Sequence, residues 1–142
     1  MDLRNSLIKI VYPSAQYPTK EAFPEAAKGH LSSSATVNFT KLEGFCRGPY
    51  MCGAVPQSGD FALFEMLDQN QSICVSIGVP DILDSFPKLK NLHAAMKAEP
   101  SLAKYYKSDE YTKWAQNNGA FAIYTGQGAD FEYGPSVTEV VE

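Results

Sequence analysis

The stretch from Gln57 to Gln69 limits the fold more than any other part of the chain. At about 100° per residue, Phe61, Leu63, Phe64, Met66 and Leu67 place apolar side chains almost all the way round a helix. Water solvates no side of such a helix, so other elements have to surround it. The chain has 142 residues, enough for one domain that buries about two-thirds of the surface its unfolded form exposes. Strand signals are weak, and Phe121 to Thr125 is the only short candidate. The expected class is therefore all-α, a helical bundle.

The surrounding helices follow from periodicity and breakers. Met1 to Tyr12 groups Leu3, Leu7, Ile10 and Val11 on one face, with Asp2, Ser6 and Lys9 as a polar stripe. Met1, Ile8 and Tyr12 share a second, mixed face with Arg4 and Asn5, which suits a partner, a cleft or a wetter part of the core. This helix opens at residue 1 without a capping residue, so it reads as cut from a longer one. Pro13 to Pro18 is a loop, because the residue before each proline is pushed out of helix. Thr19 caps the next helix, whose stronger part runs from about His30 to Phe45, with Leu31, Val37, Leu42 and Phe45 available for burial. Pro80 to Leu83 is a short turn, and Pro87 to Ala98 is a helix stopped by Pro100. Ser101 to Tyr111 is the last clear helix, and Asn117-Asn118-Gly119 breaks the pattern. The expected division is a helical domain over 1–116 and an extension of unclear structure over 117–142.

Charge and cysteine usage exclude whole classes. The net charge is −4 with no basic run, which argues against nucleic acid or an anionic membrane as partner. No apolar run approaches the roughly 18 residues of a membrane span. Cys46, Cys52 and Cys74 are odd in number, and with only His30 and His93 they offer no zinc spacing and no redox pair. Free thiols in a reduced, cytoplasmic compartment are the expectation, with no metal site.

Asp60 lies in the first turn of the central helix. A buried carboxylate is costly unless hydrogen-bonded, and there it can accept from orphan backbone N–H groups, as in a capping box. Its expected role is structural rather than catalytic. The residue three earlier is Gln57, a poor cap, and Ser58 offers an alternative start shifted by one residue.

Three segments together resemble the C-terminal helical domain of mu- and sigma-like glutathione transferases. These are Ser58-Gly59-Asp60-Phe61-Ala62-Leu63-Phe64-Glu65-Met66-Leu67-Asp68, Phe86-Pro87-Lys88-Leu89-Lys90 followed by Pro100 and Lys104-Tyr105-Tyr106-Lys107-Ser108, and Met1-Asp2-Leu3-Arg4-Asn5 through Val11-Tyr12. The resemblance covers roughly Met1 to Ser108 and departs from the family at Gln57, where a Ser or Thr is usual. It implies that Tyr12 stands at the rim of an electrophile pocket, with Met1, Arg4, Asn5 and Ile8 as its wall. It implies that Asp2 reaches the α-amino group of glutathione bound to the other subunit of a homodimer. It also implies that the thiol-activating residue sits on an N-terminal thioredoxin-like domain outside this sequence, so no catalytic residue is assigned here. On this reading the chain is a truncated piece of a parent enzyme for which glutathione is the co-substrate. The rival reading is a non-catalytic interaction module of the kind found in elongation factor subunits and aminoacyl-tRNA synthetases, and a structural, lens-crystallin-like relative is a third.

Overall fold

The computed structural model describes residues 2–11, 21–113, 116–117 and 119–125, and the regular elements among them are helices, with no strand. Helix α1 spans Asp2–Val11, α2 Phe23–His30 and α3 Thr36–Phe45, with a π-helical turn, Leu31–Ala35, joining the last two. The central α4 runs Ser58–Ile77, α5 Pro87–Ala98, and two short helices follow, α6 Asp109–Thr112 and α7 Gly119–Tyr124. α4 packs against α5 and α2, α3 packs on α5, and α1 closes over α2 and α7. Leu67 and Ile73 of α4 meet Leu7, Val11, Phe23, Phe39, Leu89, Leu92, Met96 and Phe121 in one core.

The π turn explains which face of the second long helix is buried. Phe23, Ala27, Leu31, Ala35 and Phe39 are buried at a constant spacing of four. In a regular α-helix each such step rotates by about 40° past a full turn, and the stripe would drift off the core. One wider turn absorbs that drift. The hydroxyls of Ser33 and Thr36 take the Gly29 and Leu31 carbonyls at 2.5 and 2.6 Å, the second bond spanning five residues as a π turn does. The burial expected of Val37 and Phe45 does not occur, since they are 53% and 72% exposed. Val37 lies about 200° round the helix from both Ala35 and Phe39, so it faces away from the core.

Carboxylates supply much of the helix capping, and one of them, Glu43, is distant in sequence. Gln57, with extended backbone, is the N-cap of α4, so the helix does not shift to a start capped by Ser58. Asp60 is fully buried and accepts from the backbone N–H of Gln57 and of Met51, both at 2.8 Å. At the other end Gly78 takes the left-handed conformation, φ +68°, that a side chain disfavours. α5 begins at a proline with no local side-chain cap. Glu43 of α3 accepts instead from the N–H groups of Lys88 and Leu89, at 2.9 and 3.0 Å.

Two later expectations change. Ser101 to Tyr111 is not one helix but 3-10 turns at Pro100–Leu102 and Tyr105–Lys107 followed by α6, with Ser108 interrupting it by extended backbone. The strand candidate Phe121 to Thr125 lies in and just past α7, whose Phe121 is buried in the core and whose Tyr124 ring sits 5.0 Å from that of Phe23. β-propensity there yields to burial.

Asp60→Ala strips the partner from two backbone donors beside the core, and the expected loss is about 3 kcal/mol in urea unfolding. Gln57→Thr places a better cap on the same residue and is expected to gain about 1 kcal/mol. Ser58→Ala, one residue inside the helix, is expected to leave the midpoint unchanged. A costly Ser58→Ala with a neutral Asp60→Ala would show that the first turn is held differently.

Candidate functional site

Two concavities share the exposed side of α4. The smaller, about 170 Å3, lies between α1 and α4 and is lined by Arg4, Leu7 and Ile8 against Glu65, Met66 and Gln69. It brings together two residues expected on the pocket wall, Arg4 and Ile8. Asn5 is exposed on the same helix and does not line it. Met1 and Tyr12 lie outside the described residues, and Asp2 is described only as the first residue of α1.

The larger concavity, about 600 Å3, opens between α4 and the residues from Leu102 to Tyr111, with Gln116. Phe61, Phe64, Tyr105, Tyr106 and Tyr111 give it aromatic walls, and Glu65, Asp68 and Glu110 give it carboxylates. Glu65, Gln69 and Gln116 belong to both concavities, which makes them neighbours. Asp68, in the lining of the larger one, is the centre of a polar knot. Its carboxylate accepts from His93 Nε2 at 2.8 Å, from Gln116 Nε2 at 2.8 Å and from the Tyr111 hydroxyl at 3.1 Å. Lys97 stands 3.5 Å from it, hydrogen-bonds Tyr111, and lies over the rings of Phe64, Tyr106 and Tyr111. Burial pushes the Asp68 carboxyl up, but the His93 bond and the Lys97 charge outweigh it and hold its pKa below the usual value of 3.8. Tyr106 is pushed up to about 12, first by burial and then by the Asp68 charge, so its hydroxyl stays protonated and donates to the Met96 carbonyl at 2.9 Å.

Sequence reasoning missed this knot. His93 carries no partner motif, and Lys104 to Lys107 reads as a solvated helix face, whereas Tyr105 and Tyr106 line the cavity. The partners of Asp68 stand 25 to 48 residues away, beyond any local pattern. The clustering of three tyrosines at 105, 106 and 111 was the available signal.

A second buried polar pair lies behind α4. His30 Nε2 donates to Asn70 Oδ1 at 2.9 Å, while Asn70 Nδ2 donates to the Met66 carbonyl. His30 Nδ1 is buried without a hydrogen-bond partner. Burial lowers the His30 pKa below 6.5, against a partial upward pull from the Asn70 bond. The described residues hold no cluster of side chains suited to a metal ion, and none of their helices is long and apolar enough to cross a membrane. Cys46 and Cys74 are buried and Cys52 is exposed, all three as free thiols.

Residues 1–109 match the family described as glutathione S-transferase, C-terminal domain. The chain belongs to that family. It is 27% identical over 117 residues to glutathione S-transferase class-mu 26 kDa isozyme 1 of Fasciola hepatica, covering 82% of this chain and 48% of the relative. It is 25% identical over 129 residues to isozyme 51 of the same organism, covering 91% and 54%. It is 34% identical over 65 residues to glutathione S-transferase Mu 1 of Oryctolagus cuniculus, covering 46% and 28%. The chain thus spans about half the length of the first two relatives or less of the third. No solved structure matches at the same level of significance. The α1–α4 cleft contains two residues of the expected electrophile wall, and the aromatic cavity adjoins it through Glu65, Gln69 and Gln116.

Stability should fall in two steps as pH drops. His30 has a lowered pKa, so its contribution is complete above about 6.5 and is lost as pH falls below that value. Asp68 also has a lowered pKa, so its contribution is complete above about 3.8 and fades below it. Urea midpoints against pH should lose the first step in His30→Gln and the second in Asp68→Asn. Unchanged profiles in both variants would rule out this assignment.

Proposed function

We propose that this chain is the helical half of a glutathione transferase that joins the glutathione thiolate to apolar electrophiles, a detoxifying reaction in the cytoplasm. The match of residues 1–109 to the C-terminal domain family carries the reading, together with mu-class relatives about twice as long as the matched part. The roles proposed within it follow the resemblance of α1. Tyr12 stands at the rim of the electrophile pocket, where a hydroxyl donates to charge developing on the electrophile. Arg4, Asn5, Ile8 and Met1 form the wall, and the cleft that Arg4 and Ile8 share with α4 supports this arrangement. Asp2 pairs with the glutathione ammonium across a homodimer, a charge-assisted contact suited to an acid. The thioredoxin-like half supplies the thiol-activating group and most glutathione contacts. The helical domain over 1–116 is followed by an extension, 117–142, whose α7 packs Phe121 into the core of that domain.

The reading sets two expectations. The chain alone should not conjugate glutathione to a chromogenic aryl halide. If about five hydrogen bonds to glutathione at ~1 kcal/mol each are lost, affinity falls by more than about a thousandfold. Turnover clearly above the buffer rate would overturn it. The chain should also sediment as a dimer, because an isologous contact through the helical domain does not need the other half. A clean monomer at high concentration would remove the proposed cross-subunit role of Asp2.

A further inference from the structure

Two of the three cysteines, Cys46 and Cys52, bound a tight loop between α3 and α4. They are too far apart in sequence for a Cys-x-x-Cys pair, and it is the folding of the loop that brings them together. Cys46 ends α3 with its backbone held on both sides. Its N–H donates to the Leu42 carbonyl at 3.0 Å, and its carbonyl accepts from Lys88 Nζ at 3.1 Å. The chain then doubles back. The Arg47 N–H donates to the Met51 carbonyl at 3.2 Å, which sets the residues outside that bond, Cys46 and Cys52, beside each other. Tyr50 and Gly53 exchange both backbone hydrogen bonds, at 3.1 and 3.4 Å, round a turn made by Met51 and Cys52. The Tyr50 carbonyl oxygen touches both sides of the pair. It lies 3.7 Å from Cys46 Sγ and accepts from the N–H that directly follows Cys52. Residues facing each other across a doubled-back chain have Cα atoms about 4.5–5.5 Å apart, within the roughly 4.4–6.8 Å that a disulfide spans. The two thiols differ in access. Cys52 is exposed, whereas Cys46 is buried with its Sγ turned to the Gly48 and Tyr50 carbonyls of the loop itself. A thiol at the surface with a second one beneath it is the arrangement of an attacking and a resolving cysteine. The third, Cys74, is buried in α4, and burial pushes its thiol up, which keeps it protonated and unreactive.

We propose that Cys46 and Cys52 form a reversible disulfide when a hydroperoxide reaches the loop. The Cys52 sulfur attacks the peroxide. An S–O bond forms, the O–O bond breaks, and the leaving oxygen departs as water with the Cys52 thiol proton. The Cys46 sulfur then attacks the sulfenic sulfur. The S–S bond forms, the S–O bond breaks, and the hydroxyl leaves as a second water with the Cys46 proton. The two thiols lose two electrons and hydrogen peroxide is reduced to two waters; a dithiol reverses the step. The link ties the end of α3 to the residue after Met51, whose N–H is held by Asp60 at the start of α4. This inference does not depend on the transferase reading, because the loop contains none of the residues assigned to that reaction.

The test is treatment of the whole chain with hydrogen peroxide at neutral pH, then alkylation and digestion with trypsin and a glutamyl endopeptidase. Cleavage after Glu43, Arg47, Glu65 and Lys88 puts Cys46, Cys52 and Cys74 on separate peptides, 44–47, 48–65 and 66–88. Free thiols should fall from three to one, with 44–47 joined to 48–65 and no covalent dimer, and dithiothreitol should restore all three. Cys52→Ser changes an exposed residue and should keep the parent urea midpoint. In that variant Cys46 should lose its thiol at least about tenfold more slowly, because the accessible sulfur is gone. Peroxide that leaves Cys46 free, a link from Cys52 to Cys74 or to Cys52 of a second copy, or an unchanged rate at Cys46 in the variant would each overturn the proposal.

Discussion

The carboxylate of Asp60 is the contact on which the rest of the bundle depends. It is buried, and it accepts from backbone donors on both sides of a loop, Met51 and Gln57. A buried charge without such donors would be too costly to keep. One side chain thereby fixes where α4 begins and how the segment after α3 returns to it. The small loop it anchors is tight enough that Gly48 and Gly53 approach within side-chain distance, so a Cβ at Gly48 would meet the Gly53 carbonyl oxygen at 3.0 Å. Once α4 is fixed in direction, its apolar sides dictate where α2 and α5 lie.

Exposed faces of the same helix carry the chemistry. Asp68 stands two turns on from Asp60 but opens toward solvent, where it gathers a histidine, a lysine, a tyrosine and a glutamine. Such knots rigidify a surface only when every member finds a partner. Here they hold the aromatic segment 105–111 against α4 and so shape the cavity above it. By contrast, the α1–α4 cleft is walled by a short helix whose inner residues, Leu3, Leu7, Ile10 and Val11, are buried and whose outer ones, Arg4 and Asn5, are exposed. The two concavities thus differ in origin, one made by polar bonding and the other by apolar docking.

Much of the fold was legible in the residues. The apolar sides of α4 demanded packed neighbours, although Phe61 of that set stays 42% exposed, and the prolines at 87 and 100 bounded α5. What escaped were features set by long-range partners. The turn of π-helix, where hydroxyls bond backbone carbonyls, keeps the stripe at spacing four buried, whereas periodicity counting assumes an unbroken α-helix. α7 carries aromatic and branched residues that favour strands locally, yet burial of Phe121 decides its state. In the candidate site, the mixed face of α1 was visible because its residues lie within three turns of helix. The Asp68 knot was not, because its members come from α4, α5 and α6 and from Gln116 beyond them.

The placing of Glu43 has a consequence for how the chain is made. It answers the N–H groups that open α5 from 45 residues upstream. At a synthesis rate of about 5–20 residues per second, that acceptor precedes its donors by about 2–9 s. Asp68 likewise precedes His93, Tyr111 and Gln116. During translation, each later element arrives at a carboxylate already in place, so the bundle can close in the order in which it is synthesised.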